Sequence, residues 1–265
     1  MEPQPTPRPR GRGIYLLPNL FTTGGMFAGF YAIIAATQGR FDEACMAIFV
    51  AAILDGVDGR VARLTNTQSE FGVQYDSLAD LISFGLAPAL VMYHWALEAT
   101  KLDGVIPGKI GWVGAFLYAA CAALRLARFN SQVGQVDKRW FIGLASPAAA
   151  GLVASFVWTC HSFDLSGEEL RYAALAVTVV AGLLMVSRVR YVSFKGSGPR
   201  NDRVPFLAIL VVVAVLVAIA IDPPRVLLAI FAPYALSGPV QAIWRRLRRA
   251  PEPPAAPPAG GAGAA

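Results

Sequence analysis

Glu43-Ala44-Cys45-Met46-Ala47-Ile48-Phe49-Val50-Ala51-Ala52-Ile53-Leu54-Asp55-Gly56-Val57-Asp58-Gly59-Arg60-Val61-Ala62 is apolar for most of its length and then carries two aspartates three residues apart. A helix of about 20 apolar residues is long enough to cross a hydrocarbon core of about 30 Å. The stretch therefore reads as a membrane span whose last turns hold carboxylates. Seven further apolar stretches lie at 14–36, 76–99, 110–129, 146–162, 169–187, 204–222 and 225–243. With no water available to backbone groups inside a bilayer, such stretches become helices, and a bundle of them is the expected architecture.

The whole chain has the balance that this reading needs. Of its 265 residues 55% are apolar and only 15% charged, and its mean hydropathy is +0.51, unusual for a soluble domain of this size. Eight spans put both termini on one side, and the basic residues test that count. Of the 23 Lys and Arg, 18 fall on the side of the termini: Arg8, Arg10, Arg12, Arg60, Arg63, Arg125, Arg128, Lys138, Arg139, Arg188, Arg190, Lys195, Arg200, Arg203, Arg245, Arg246, Arg248 and Arg249. The other side holds Arg40, Lys101, Lys109, Arg171 and Arg225. This split predicts eight spans with both termini cytoplasmic, and it accounts for the sequence pI near 9.5 without a nucleic-acid partner. Cys45, Cys121 and Cys160 are odd in number, widely spaced and set in apolar stretches, so they read as small buried hydrophobes. Residues 1–13, rich in Pro and Arg, are expected to be disordered against anionic lipid, and the Pro/Ala/Gly-rich residues 250–265 to be a disordered tail. One membrane domain, 14–249, lies between them. The apolar run after the first basic residues is too long for a signal peptide, and no organellar targeting segment is evident, so the expected location is the inner (cytoplasmic) membrane of a bacterium.

The chemistry is concentrated where the second span ends and the third begins. Asp55 and Asp58 are three residues apart, and Asp76 and Asp80 four apart, so on helices each pair occupies one face. Two facing helices would bring all four together near the cytoplasmic surface. Mutually repelling carboxylates in a span are costly unless a cation or protons compensate them. Their hard oxygens suit Mg²⁺ or Mn²⁺, and four of them suffice for two ions. Gly59 and Gly72 stand where a bulky ligand can approach the backbone, and Arg63 stands near the carboxylates, where it can meet phosphate. Taken singly, aspartates at helix ends are usually solvated or capping, and glycines often serve helix packing; the joint spacing favours a metal–diphosphate site. The chemistry that follows is displacement at phosphorus, with one carboxylate taking the proton of an attacking hydroxyl. His94 and His161 fall toward the opposite side.

Residues 55–80 match D-x-x-D-G-x-x-A-R-x(8)-G-x(3)-D-x(3)-D at every fixed position, and the chain thereby resembles the CDP-alcohol phosphatidyltransferase family. The resemblance implies that Asp55, Asp58, Asp76 and Asp80 are metal ligands, with Asp80 also the general base. It further implies that Asp58, Gly59, Ala62, Arg63 and Gly72 line the CDP site, that the site opens on the cytoplasmic face, and that the protein is a homodimer. Family members differ in their acceptor alcohol. Leu17-Pro18-Asn19-Leu20-Phe21-Thr22, Ser69-Glu70-Phe71-Gly72, Ser83-Phe84-Gly85-Leu86-Ala87-Pro88-Ala89 and Leu124-Arg125-Leu126-Ala127-Arg128-Phe129-Asn130 resemble the members that use serine. Those members generally have Pro where Ala145 stands here. The partners so implied are CDP-diacylglycerol, L-serine and membrane lipids. Arg125, Arg128 and Asn130 are the candidates for binding the serine carboxylate or a lipid phosphate, with topogenic charge as the competing explanation. Glycerol 3-phosphate or an inositol phosphate as acceptor is the alternative within the family. A divalent-cation transporter is a remote one, since the aspartates gather near one face instead of lining the full membrane depth.

Overall fold

The computed structural model of the protein describes residues 16–65, 69–131, 140–192 and 206–248. The expectations for residues 1–13 and 250–265, and for Lys138, Arg139, Lys195, Arg200, Arg203 and Arg249, lie outside the described residues.

Helices account for nearly all of the rest. They are α1 (Leu16–Thr37), α2 (Phe41–Thr65), α3 (Glu70–Asp80), α4 (Ala87–Trp95), α5 (Val105–Ser131), α6 (Ser146–Ser162), α7 (Arg171–Val186), α8 (Phe206–Ile221) and α9 (Pro223–Arg248). A π-helical turn, Leu81–Leu86, joins α3 to α4 without a break, and a 3₁₀ segment, Leu97–Asp103, leads to α5. Four helical stretches are long and apolar enough to cross a membrane: Pro18–Thr37, Glu70–Trp95, Val105–Ser131 and Pro223–Trp244. The only strands among the described residues form an antiparallel ribbon of β1 (Trp140–Ile142) and β2 (Arg190–Val192), in which Phe141 pairs with Tyr191.

Local chemistry explains several helix ends. The stretch expected at 76–99 begins in fact at Glu70, because the Ser69 side chain caps α3 by accepting from the Gly72 N–H at 3.0 Å. The stretch expected from 110 begins at Val105, just after Gly104, whose φ of 122° ends the 3₁₀ segment. Asp42 and Glu43 in the first turn of α2 and Arg63 in its last oppose the helix dipole. Pro147 sits in the first turn of α6, where its missing N–H costs no helical bond.

Small residues govern the packing. Helices α1 and α2 lie along one another, and their buried positions include Ala28, Ala32, Ala35 and Ala36 on one and Ala44, Ala47 and Ala51 on the other. Alanines at such an interface let the backbones approach closely where apolar burial offers little driving force in lipid. Beyond this pair, α5 packs on α7, and α6 on α2 and α9. The three cysteines are buried and unpaired by disulfides, as small hydrophobes would be. Large apolar side chains cover the outside, and α8 has no buried residue, as expected of a helix bathed in apolar solvent.

Two buried tyrosines repair the backbone where proline interrupts it. A proline inside a helix leaves the carbonyl four residues earlier without its N–H donor. Pro239 does this to Ala235, and Pro88, where the π turn passes into α4, offers no N–H to the carbonyls of that turn; the Tyr118 hydroxyl donates to the Phe84 carbonyl at 3.2 Å, and the Tyr191 hydroxyl to the Ala235 carbonyl at 3.0 Å. Room for the Tyr191 ring comes from Gly238, where a Cβ would collide with the ring.

Candidate active site

Three carboxylates from two helices meet at one end of the bundle. Asp55 on α2 and Asp76 and Asp80 on α3 each bring a carboxylate oxygen within 4.8 Å of the others. The spacing of four within Asp76 and Asp80 puts both on the face of α3 that looks at α2. Asp58 is one turn beyond Asp55 and outside this closest group; it is buried, and its Oδ2 accepts from the Thr22 hydroxyl of α1 at 2.7 Å. All four aspartates nevertheless line a single small cleft, with Thr22, Gly25 and Met26 of α1 as one wall and Ser83 and Phe84 of the π turn as its floor.

The first helix holds this arrangement in register. Thr23 and Tyr75 hydrogen-bond at 2.8 Å, tying α3 to α1. One level deeper the Ser83 hydroxyl donates to the Gly25 carbonyl at 3.1 Å. Gly29 makes that approach possible, because a Cβ there would stand 2.5 Å from Ser83 Oγ and 2.7 Å from its Cα. The π turn follows Asp80 directly, so the last acid of the cluster is set at a point where helical geometry changes, a placement common at functional sites.

Electrostatics defines what the cleft accepts. Two unit charges 4.8 Å apart repel by about 3 kcal/mol at an effective dielectric near 20. Three such acids stay close only with protons or a cation to offset this. The donors are carboxylate oxygens alone, convergent and half-buried, a set that fits a hard divalent cation and not a thiophilic one.

The remaining candidates are placed as follows. Gly59 opens onto free space, since a Cβ there would meet nothing within 4 Å; packing within the chain does not demand a glycine, although one inside a helix costs about 1 kcal/mol relative to alanine. Ala62 is half-buried and Arg63 exposed on the same helix. Gly72 lies at the start of α3, where a Cβ would stand 3.2 Å from Ser69 Oγ. Arg125 Nη1 donates to Ser146 Oγ at 3.0 Å, whereas Asn130 Nδ2 donates to Ser77 Oγ at 2.9 Å, beside Asp76. These two side chains therefore engage different helices, α6 and α3, and Arg128 is half-buried between them in sequence. His161 pairs with Asp42 at 2.9 Å and His94 with Glu98 at 3.5 Å, and neither lines the cleft.

Sequence reasoning did not single out Thr22, Gly29, Ser83 or Tyr118. Thr22 lay inside a stretch that resembles the serine-using members, which was a usable signal. Ser83 lay inside another such stretch, whereas Gly29 carries no local signal, because its role arises only when α1 meets the π turn.

Comparison with known proteins agrees with this geometry. The sequence profile of the CDP-alcohol phosphatidyltransferase family matches residues 15–233. A CDP-diacylglycerol–serine O-phosphatidyltransferase of Helicobacter pylori is 42% identical over 182 residues, which cover 69% of this chain and 74% of that protein. One of the same name from Mycobacterium leprae is 33% identical over 224 residues, covering 81% of this chain and 72% of its own. An archaetidylserine synthase of Methanothermobacter thermautotrophicus is 32% identical over 184 residues, covering 69% and 72%.

Proposed function

We propose, on the premise that the chain belongs to the CDP-alcohol phosphatidyltransferase family, that it transfers the phosphatidyl group of CDP-diacylglycerol to L-serine, giving phosphatidylserine and CMP. The observation that carries this reading is the convergence of Asp55, Asp76 and Asp80 within 4.8 Å in a cleft that Asp58 also lines. The serine acceptor is supported by the names of the relatives from three distant lineages.

In the proposed reaction Asp55, Asp58, Asp76 and Asp80 are the residues that would hold two divalent ions, Mg²⁺ or Mn²⁺. When bound, such ions neutralise charge on the diphosphate and the departing CMP. The chain's own part is to position and to move a proton. Gly59, Ala62, Arg63 and Gly72 border the path of the cytidine diphosphate, with Arg63 free to meet phosphate. Asp80 accepts the proton of the serine hydroxyl as its oxygen attacks the phosphorus nearer the lipid. One P–O bond forms to serine and one breaks to CMP, which leaves with the electron pair, so no covalent enzyme intermediate is needed. The buried walls keep competing water from the phosphorus.

The wider reading is that all eight apolar stretches span the bilayer, with both termini and the cleft on the cytoplasmic side of the inner membrane, and that the enzyme is a homodimer. The 18 basic residues assigned to that side support the topology.

The deciding experiment measures CMP release by purified protein in detergent with CDP-diacylglycerol and Mn²⁺ or Mg²⁺, comparing L-serine, glycerol 3-phosphate, an inositol phosphate and no acceptor. Release that requires serine and stops on chelation is the expected result. Release with another acceptor alone would move the acceptor and leave the site standing, and no release with any of them would overturn the enzyme reading.

A further inference from the structure

Three donors on α5 were candidates for binding an anion, and the structure separates them. Asn130 is engaged with Ser77, and Arg128 shows no buried unpaired donor. Arg125 differs: it reaches inward from α5 and donates through Nη1 to Ser146 Oγ, while its Nε is buried and has no hydrogen-bond partner among the described residues. A buried N–H without an acceptor is rare in folded proteins. When the group is charged and faces a site, a missing ligand is the economical account.

The surroundings specify that ligand. Arg125 lies within electrostatic reach of Asp80 on α3 and of Tyr234 on α9, and Asp80 lines the cleft. Ser146, which receives its Nη1, is fully buried and is the first residue of α6. The residue before it, Ala145, offers no capping side chain, so the positive end of the α6 dipole adds to the guanidinium. One edge of Arg125 is thus fastened to α6, and the Nε edge is left for a planar anion with two acceptor oxygens, the geometry of a carboxylate.

We propose that Arg125 selects the acceptor: its Nε edge binds the carboxylate of the amino-acid substrate while that substrate's hydroxyl lies toward Asp80. This rests on the serine transfer proposed above. Ser146 is a positioning residue that fixes the guanidinium plane, and Tyr234 brings the last helix into the wall of the acceptor subsite. The remaining explanation, a tether between α5 and α6, uses only Nη1 and leaves the buried Nε unexplained.

The test is CMP release by the full-length protein in detergent, with L-serine or with serinol, in which a hydroxymethyl group replaces the carboxylate. Wild type, Arg125→Gln and Arg125→Lys are compared, each checked for folding by its thermal melt. Loss of a charge-assisted pair is expected to raise the KM for L-serine about 30-fold in Arg125→Gln. The KM for CDP-diacylglycerol should stay within about twofold and turnover of serinol within about threefold, so that discrimination between the acceptors collapses. Arg125→Lys, which keeps the charge without the fork, should fall between, and it carries the test if the glutamine variant does not fold. A rise in the KM for CDP-diacylglycerol would assign Arg125 to a lipid phosphate and overturn the proposal, as would equal losses with serine and serinol. Wild-type protein that releases CMP with a different acceptor and not with serine would overturn the parent reading, a result visible without any variant.

Discussion

The Tyr191 hydroxyl donates to the Ala235 carbonyl across 3.0 Å, and Ala235 stands four residues before Pro239. The ribbon strand β2 thereby supplies the hydrogen that proline withholds from α9. Tyr118 donates likewise to the Phe84 carbonyl ahead of Pro88. Replacing either tyrosine by phenylalanine keeps the ring and removes only this donor. Each change should destabilise the protein by about 1–3 kcal/mol, the cost of a buried unsatisfied carbonyl, read as a lower melting temperature in detergent. An unchanged melt for both variants would mean that another group satisfies those carbonyls.

Gly29 and Ser83 set the distance between α1 and the π turn. Substituting Gly29 by Ala forces a methyl into a gap where backbone lies 2.7 Å away, so the two elements must part. Overpacking of this kind costs about 1–3 kcal/mol. Because Ser83 floors the cleft, CMP release should fall along with the melting temperature, whereas Ser83→Ala should lose the hydrogen bond to Gly25 with much less effect on either. A Gly29→Ala protein with full stability would show that the helices tolerate separation.

Asp80→Asn preserves size and removes both the proton acceptor and one anionic donor. CMP release should drop by at least about 100-fold, the lower end of what a general base contributes. Folding should be spared, because the substitution also relieves repulsion among three acids within 4.8 Å. Retained turnover in a folded Asp80→Asn protein would remove Asp80 from the role of base.

On the far side of the molecule Arg171 donates to Asp103 through Nε and Nη2 at 2.6 and 2.7 Å, and Tyr172 donates at 2.8 Å. These bonds, Arg171 first, hold the Asp103 carboxyl below its ordinary range. A carboxylate lowered in the folded state contributes stability above its unfolded value, and that contribution disappears as pH falls through the folded one. Melting curves of wild type and Asp103→Asn should therefore differ by a constant amount above about pH 5 and converge below about pH 4. A gap that widens on acidification would contradict the pairing.

Much of this molecule is legible along the chain because its main signals are local. Apolar length marks where helices run, and separations of three and four place Asp55 and Asp58, or Asp76 and Asp80, on shared faces. Helix ends were less visible: the Ser69 cap extends α3 back to Glu70, and the last helix continues through Trp244 to Arg248. What the sequence does not display are relationships made only on folding. Thr22 meets Asp58 across 36 residues and Ser83 meets Gly25 across 58. The two ribbon strands are three residues each, too short to show alternation. The tyrosines that serve Pro88 and Pro239 stand on other elements altogether, and Arg125 shows its unused edge only once Ser146 has taken the other.

The π turn between Asp80 and Ala87 also fixes an angular phase. In an α-helix each residue advances by about 100°, and a wider turn lets the chain slip relative to that count. Upstream, Asp76 and Asp80 look at α2; downstream, Ala87, Val91 and Trp95 are buried among the other helices. Two faces with different targets are thus carried on one continuous rod. Deleting a single residue from Leu81–Leu86 would leave the composition of the segment almost untouched, yet it would force a choice between a buried α4 and an acid cluster that faces its partners. This short segment should accordingly accept changes of side chain far more readily than changes of length.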